Sequence, residues 1–230
     1  MRSEVALTTE SNTGTTSGNN SRGRSVCFAL ACDAIAEVTS KIGIKMCASL
    51  GSLDEGAFVL LKQAGLSRYH HNIETSPDYF PRIVTTHTFQ DRIRTIKAAK
   101  RAGLEVCSGG IIGMGETLED RVEMAICLKE LDVDSVPINV LVPIKGTPLE
   151  TRETLSCHEV IRTIAIFRII LKDKTIKIAA GRESVLKDFQ AMAFMAGANG
   201  MLIGGYLTIK GREVNEDRKL IEEIEKLWQK

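Results

Sequence analysis

The sequence predicts an α/β fold: an incomplete (β/α)8 TIM-type barrel of about six βα units, with its first strands missing. Three observations carry that reading. Short apolar runs alternate with longer helical stretches from about residue 24 to the end. With Cys47, Asn72, Cys107, Asn139, Lys177 and Leu202 as strand markers, the successive steps are 25, 35, 32, 38 and 25 residues. That spacing belongs to repeated βα units, whose parallel strands require helical crossovers. An open doubly wound sheet shares this alternation, but no G-x-G-x-x-G follows the first strand, which counts against a dinucleotide-binding sheet. A complete barrel takes eight strands and about 250 residues. Six strand runs are legible, so the chain reads as the last three-quarters of a barrel.

The elements follow in order. Residues 8–21, TTESNTGTTSGNNS, are Ser, Thr, Asn or Gly except for Glu10. Such a stretch buries no apolar surface, so residues 1–23 are expected to form a disordered tail and residues 24–230 the partial barrel. Arg2, Arg22 and Arg24 suggest a transit peptide, against which stand Glu4, Glu10 and the lack of an amphipathic face. A helix is expected over about 26–42. The strand runs are IGIKMCASL, SRYHHNIE, LEVCSGGIIG, SVPINVLVP, TIKIAAG and GMLIGG. Between them lie the helical stretches DEGAFVLLKQAG, TFQDRIRTIKAAKRAG, TLEDRVEMAICLKEL, SCHEVIRTIAIFRIIL and SVLKDFQAMAFMAG. Gly65, Gly103 and Gly197 stand where helices end. Thr88 and Thr117 each precede an aspartate three residues on, the pattern of an N-terminal cap. With upstream strands missing, the strands carrying Cys47 and Leu202 are expected to be edges open to pairing.

Composition narrows the function. Thirty basic against 29 acidic side chains give a net charge of +1, not the basic field of a nucleic-acid binder. No apolar run approaches the roughly 18 residues of a membrane span. Six cysteines, at 27, 32, 47, 107, 127 and 157, are scattered through a chain too long to need disulfide staples, so a reducing cytoplasm is expected. Cys127 and Cys157 fall in helical stretches and read as core thiols.

Three stretches could carry chemistry. In Arg68-Tyr-His-His-Asn-Ile-Glu74, strand alternation puts His70, Asn72 and Glu74 on one face and His71 and Ile73 on the other. Three polar groups on one interior face are costly to bury unpaired, so they form either a ligand site or a satisfied polar layer at a barrel mouth. Cys107-Ser-Gly-Gly-Ile-Ile-Gly-Met-Gly-Glu116 has four glycines in seven residues between strand and helix, which lets a ligand approach the backbone. Asn139, in Pro137-Ile-Asn139, carries an amide able to donate and accept. Cys47 and Cys107 lie on strands, as ligands or as plain buried thiols.

The stretches KMCASLGSLDE, RYHHNIETSPDYFPRIVTTHTFQDRIRTIKAAKRAGLEVCSGGIIGMGETLEDR, DSVPINVLVPIKGTPLE and IAAGRES…MAFMAGANG, taken together, resemble the biotin synthase family. The resemblance runs in order from about residue 42 to the C-terminus. It implies a β/α barrel, usually homodimeric, of the radical S-adenosylmethionine superfamily, supplied by an external electron donor and inserting sulfur between two unactivated carbons of dethiobiotin. It implies S-adenosylmethionine contacts at Asn72, Glu74, Arg92, Gly109, Ile111 and Gly113, with Asn72 also touching dethiobiotin. Glu74 stands where the family usually has an aspartate on the ribose hydroxyls. Arg92 matches the arginine that pairs with the methionyl carboxylate, a fork suited to that group. Gly109, Ile111, Gly113 and Glu116 fit a G-x-I-x-G-x-x-E signature, with Ile111 against adenine. Asn139 matches the asparagine on the ureido ring, and His70 takes a substrate-side position commonly held by asparagine.

The resemblance also makes Cys47 and Cys107 two ligands of an auxiliary 2Fe–2S cluster, soft thiolates suited to iron–sulfur chemistry. A third cysteine is expected upstream, near residues 13–16, where there is none; Cys27 and Cys32 lie on the expected helix. The fourth ligand, usually arginine, aligns with Lys177, whereas Arg182 belongs to the GRE motif that follows. The family's 4Fe–4S cluster is held by C-x3-C-x2-C, and no such triplet occurs in the 230 residues. The expected function is therefore sulfur insertion by a biotin-synthase-like chain cut short upstream. The alternatives are a non-catalytic barrel remnant or dimerising interaction protein, another radical enzyme, or a subunit that receives its missing strands from another chain.

Overall fold

The computed structural model describes residues 4–8, 21–204 and 211–228, with side chains over 26–204 and 211–227. In chain order the strands are β1 Glu4–Thr8, β2 Lys45–Ser49, β3 Arg68–His70, β4 Glu105–Cys107, β5 Gly110–Ile112, β6 Ser135–Val140, β7 Thr175–Ile178 and β8 Gly200–Met201. The helices are α1 Ser21–Ile42, α2 Glu55–Gln63, α3 Phe80–Ile83, α4 Phe89–Arg101, α5 Leu118–Glu130, α6 Cys157–Leu171, α7 Arg182–Val185, α8 Gln190–Met195 and α9 Val214–Trp228. Among the described residues, the pairings β1–β2, β2–β3, β3–β4, β5–β6, β6–β7 and β7–β8 are parallel, as alternation of strand and helix demands. This is the α/β class of an incomplete β/α barrel.

The chain divides into two compact units, one of Met1–Asn72 with His87–Cys107, the other of Ile73–Thr86 with Ser108–Lys230. In the first, β1, β2, β3 and β4 lie side by side in chain order. Their outer face is closed by α2 and α4 around Phe58, Leu61, Tyr69, Ile96 and Val106, all buried. In the second unit β5, β6, β7 and β8 are neighbours in chain order, and Met124, Leu128, Ile164, Phe167 and Ile176 form its core.

Local signals act where the sequence places them. Thr88 and Thr117 close full capping boxes with Asp91 and Asp120, each satisfying two amides that a helix start leaves unpaired. Gly65, Gly103 and Gly197 follow their helices at φ of 100°, 77° and 122°.

Among the described residues, several elements and burial classes differ from expectation. Glu4–Thr8, inside the expected tail, form a strand in register with β2, and α1 begins at Ser21; residues 9–20 lie outside the described residues. The strand of Cys47 is therefore not an edge. The run LEVCSGGIIG is two strands, because the backbone is squeezed at its glycines. A Cβ on Gly109 would lie 2.0 Å from the Pro137 carbonyl oxygen, and one on Gly110 2.2 Å from that of Glu74. The expected helix SVLKDFQAMAFMAG is broken into α7, a 3-10 turn Lys187–Phe189 and α8, with Lys187 in the left-handed region at φ 47°. Cys127 and Cys157 are half-buried, not core thiols.

One buried ion pair fixes the second unit's C-terminal helix. Arg182 and Asp217 are 1% and 0% exposed. Arg182 Nη2 and Nη1 donate to the two carboxylate oxygens at 2.5 and 3.1 Å, and Nη1 also donates to Gln190. Breaking one side of such a pair strands a buried charge. Arg182→Met is expected to cost about 3–5 kcal/mol in urea unfolding, and a further Asp217→Leu change to recover much of that loss.

Candidate functional site

In the first unit the strand register places the expected cluster thiols. Cys47 is level with Arg68 on the next strand, and His70 is level with Cys107. Neighbours in parallel register share a face, and so do residues two apart, so Cys47, Arg68, His70 and Cys107 all lie on one side of this sheet. The opposite side is fixed by Tyr69, whose ring packs edge-on against Phe58 of α2 at 4.6 Å. Its hydroxyl donates to the Gly51 carbonyl at 2.5 Å and accepts from the Leu50 amide at 3.0 Å, pinning the loop after β2. Both thiols are buried. Below them Glu105 joins Arg68 at 2.6 Å and Lys45 at 3.1 Å.

His71 follows Tyr69 on the helix-facing side, its ring stacked at 6.3 Å between centroids. It is 5% exposed, and its Nε2 has no hydrogen-bond partner among the described residues. Burial, then the charges of Arg92, His70 and His87, push its pKa down to about 3. Asn72 is buried just beyond β3. Arg92, in the first turns of α4, donates from Nε to His87 Nε2 at 2.9 Å.

In the second unit the glycine-rich loop is built around a carboxylate. Glu116 accepts from the amides of Gly113, Met114 and Gly115 at 2.7, 2.8 and 3.1 Å, and from Arg121 Nε at 2.8 Å. Gly113 and Gly115 adopt φ of 94° and 112°, the left-handed geometry that turns successive amides toward one anion. These amides are committed internally, so the loop does not offer them to a ligand, contrary to the simplest reading of its glycines. Tyr79 donates to the Met114 carbonyl at 2.9 Å, fastening the loop from the segment before α3.

Alternation of faces, used to group Glu74 with His70 and Asn72, stops short of it. Ile73 and Glu74 both donate their amides to the Gly109 carbonyl, and Glu74 turns left-handed at φ 71°. For a residue with a Cβ this is a costly conformation. Its carbonyl accepts from the Ile111 amide at 2.9 Å. Ile111, half-buried, is level with Asn139 on β6. The Asn139 amide donates to the Gly110 carbonyl at 3.1 Å and accepts from Ala180 at 3.2 Å. An amide supports four hydrogen bonds, so one donor and one acceptor remain to its geometry. Lys177 is level with Pro137, on the Asn139 face of β6, and lies across Gly200, where a Cβ would come within 2.9 Å of its Cγ.

Two structural roles were not legible in the sequence. Glu116 was expected only as a signature residue, though a left-handed glycine pair just before a carboxylate could have flagged its grip. The partnership of Arg182 with Asp217 spans 35 residues and has no local signal.

The donor sets fit the expected groups unequally. Two buried thiols on one sheet face suit part of a 2Fe–2S cluster. Among the described residues, no set of three or more His, Cys, Asp or Glu side chains is placed to hold a metal ion. The cysteine triplet of a 4Fe–4S centre does not occur in the chain, so these residues do not fit that group. No helix among the described residues is long and apolar enough to cross a membrane.

His71 carries a pH dependence of known sign. Its folded pKa lies below its unfolded value of 6.5, so its contribution is fully present above about pH 6.5 and is lost as pH falls toward 3. Between pH 7.5 and 5 the wild type is expected to lose about 1–2 kcal/mol more unfolding free energy than His71→Leu, measured by urea titration.

The Radical SAM superfamily matches residues 20–128, and the Biotin and Thiamin Synthesis associated domain matches residues 137–225. Biotin synthase of Thermotoga neapolitana is 60% identical over 185 residues, 80% of this chain and 66% of that protein. Biotin synthase of Carboxydothermus hydrogenoformans is 59% identical over 184 residues, 80% of this chain and 57% of that protein. The chain thus spans less than two thirds of these relatives' length. In fold it is similar to methylornithine synthase, with a TM-score of 0.76 and 19% identity over 99% of this chain and 68% of that one. The FeFe-hydrogenase maturase HydG from Carboxydothermus hydrogenoformans gives 0.72 and 18% over 87% and 52%. With about 60% identity over 185 residues, 80% of its length, and matches to both domain models, the chain belongs to the biotin synthase family of the radical SAM superfamily.

Proposed function

We propose that the chain serves radical S-adenosylmethionine-dependent insertion of sulfur into dethiobiotin, forming biotin, in the cytoplasm and as a homodimer fed by an external electron donor. The observation that carries this is the coincidence of the family match with the geometry of its motifs: buried thiols on one sheet face, and the glycine loop shaped by Glu116.

S-adenosylmethionine, when bound, supplies the 5′-deoxyadenosyl group that abstracts hydrogen. The chain's own residues bind and orient. Arg92 pairs with the methionyl carboxylate, Glu74 accepts from the ribose hydroxyls, and Ile111 lies against adenine where Gly109 and Gly113 keep the backbone close. Asn72 bridges this ligand and dethiobiotin, with His70 on the substrate side. Asn139, with one half of its amide fixed by Gly110 and Ala180, offers the other half to the ureido ring. Cys47 and Cys107 would hold the auxiliary 2Fe–2S cluster as thiolates, and the family pattern makes Lys177 the candidate for a further nitrogen ligand. A lysine amine binds iron only when deprotonated, which costs energy at neutral pH given an ordinary pKa of about 10.4. Reductive cleavage calls for a 4Fe–4S centre whose cysteine triplet is absent from these 230 residues, and no step of it is assigned to them.

Equilibrium dialysis with S-adenosylmethionine and dethiobiotin tests the reading. Asn72→Ala is expected to weaken both ligands, and Asn139→Ala dethiobiotin alone, each by about three- to tenfold for the loss of a hydrogen-bonding amide. The anaerobically reconstituted chain with a strong reductant is expected to release no 5′-deoxyadenosine beyond a Cys47→Ala, Cys107→Ala control. Failure of either ligand to bind would sink the proposal and favour a non-catalytic barrel.

A further inference from the structure

Helix α4 starts with an unusual staple. Thr88 is its cap and Asp91 its third residue, joined in a capping box. The residue before the cap and the fourth residue of the helix commonly pack two apolar groups across such a start. Here those positions hold His87 and Arg92, and the contact is the 2.9 Å hydrogen bond from Arg92 Nε to His87 Nε2.

We propose that His87 is a positioning residue that aims Arg92 at a ligand carboxylate; this rests on the reading above in which Arg92 receives the methionyl carboxylate of S-adenosylmethionine. A guanidinium is a rigid planar fork, and two-point pairing with a carboxylate requires the two planes to align. Anchoring Nε fixes the plane and occupies the side-on edge. The carboxylate is then met end-on by the two terminal nitrogens. Nε2 of His87 accepts only when it carries no proton, so this bond requires the neutral imidazole protonated at Nδ1. Its surroundings favour that form: burial and the charge of Arg92 hold His87 below its ordinary pKa, with Asp91 opposing. His70 and His71, from the β3 segment, are the other titratable groups at this cluster, and His71 is itself neutral. A neutral acceptor fits the task, since an imidazolium would compete with Arg92 for the carboxylate and turn the guanidinium away.

Four variants separate aiming from mere stapling: His87→Phe keeps an apolar staple without the acceptor, His87→Gln keeps an acceptor, His87→Ala removes both, and Arg92→Met removes the fork. Each is compared by equilibrium dialysis with S-adenosylmethionine and with 5′-methylthioadenosine, which has the nucleoside and sulfur but no carboxylate. His87→Phe and His87→Ala are expected to bind S-adenosylmethionine about three- to tenfold more weakly and 5′-methylthioadenosine within about twofold of wild type, with His87→Gln restoring S-adenosylmethionine binding. Unchanged S-adenosylmethionine binding in His87→Phe, beside a loss in Arg92→Met, overturns the role of His87 and leaves that of Arg92 standing. Equal weakening of both ligands also overturns it, since stapling alone moves both. If Arg92→Met binds S-adenosylmethionine as wild type does, the underlying reading of Arg92 falls, and this role with it.

Discussion

Glu116 gathers three consecutive amides and one guanidinium onto a side chain only 1% exposed. Burying a lone carboxylate is prohibitive, and burying one with four donors is not. The loop from Gly113 to Gly115 therefore has one workable shape, and that shape requires left-handed backbone at two positions where only glycine is unstrained. The neighbouring geometry depends on the result. Tyr79 reaches the loop through the Met114 carbonyl, and Arg121 extends the contact to Thr163 of α6 at 3.4 Å. A loop often read as a phosphate cradle is here closed on an anion of its own chain.

The same economy of charge recurs after β7. Gly181 turns left-handed with the Val140 carbonyl so near that a Cβ would lie 2.1 Å from its oxygen. The next residue, Arg182, enters the interior and meets Asp217. In both places a strand ends, glycine lets the backbone pass close to its neighbour, and a buried ion pair locks the turn. Such pairs add little to stability over an apolar core but specify one arrangement, because any other leaves a charge stranded.

The grouping of polar side chains in the first unit rests on a different device, the parallel register itself. Pairing of Cys47 with Arg68 and of His70 with Cys107 decides that both thiols share a face with the imidazole, and Tyr69 locks that choice by packing on α2. A slip of one residue would send every one of these groups to the other side. His71 shows the cost of the arrangement: an imidazole forced among apolar and cationic neighbours stays neutral.

Much of this was legible in the sequence by itself. The βα alternation, the capping residues Thr88 and Thr117, the helix-ending glycines and the strand positions of Cys47, Cys107, Asn139 and Lys177 follow from local periodicity and local hydrogen-bonding chemistry, which short segments carry within themselves. The family was legible from motif order. The rest was decided by tertiary structure. Alternation could not foresee that Glu74 turns left-handed, because that turn is made by the Gly109 carbonyl, 35 residues away, accepting two amides. Nor could composition foresee a strand at Glu4–Thr8, whose pairing lies with β2. The grip of Glu116, the clasp of Arg182 on Asp217 and the split amide of Asn139 all join groups that only packing brings within hydrogen-bond distance. Local sequence fixes what a segment prefers to be, whereas which buried polar group meets which partner depends on the desolvation that folding imposes.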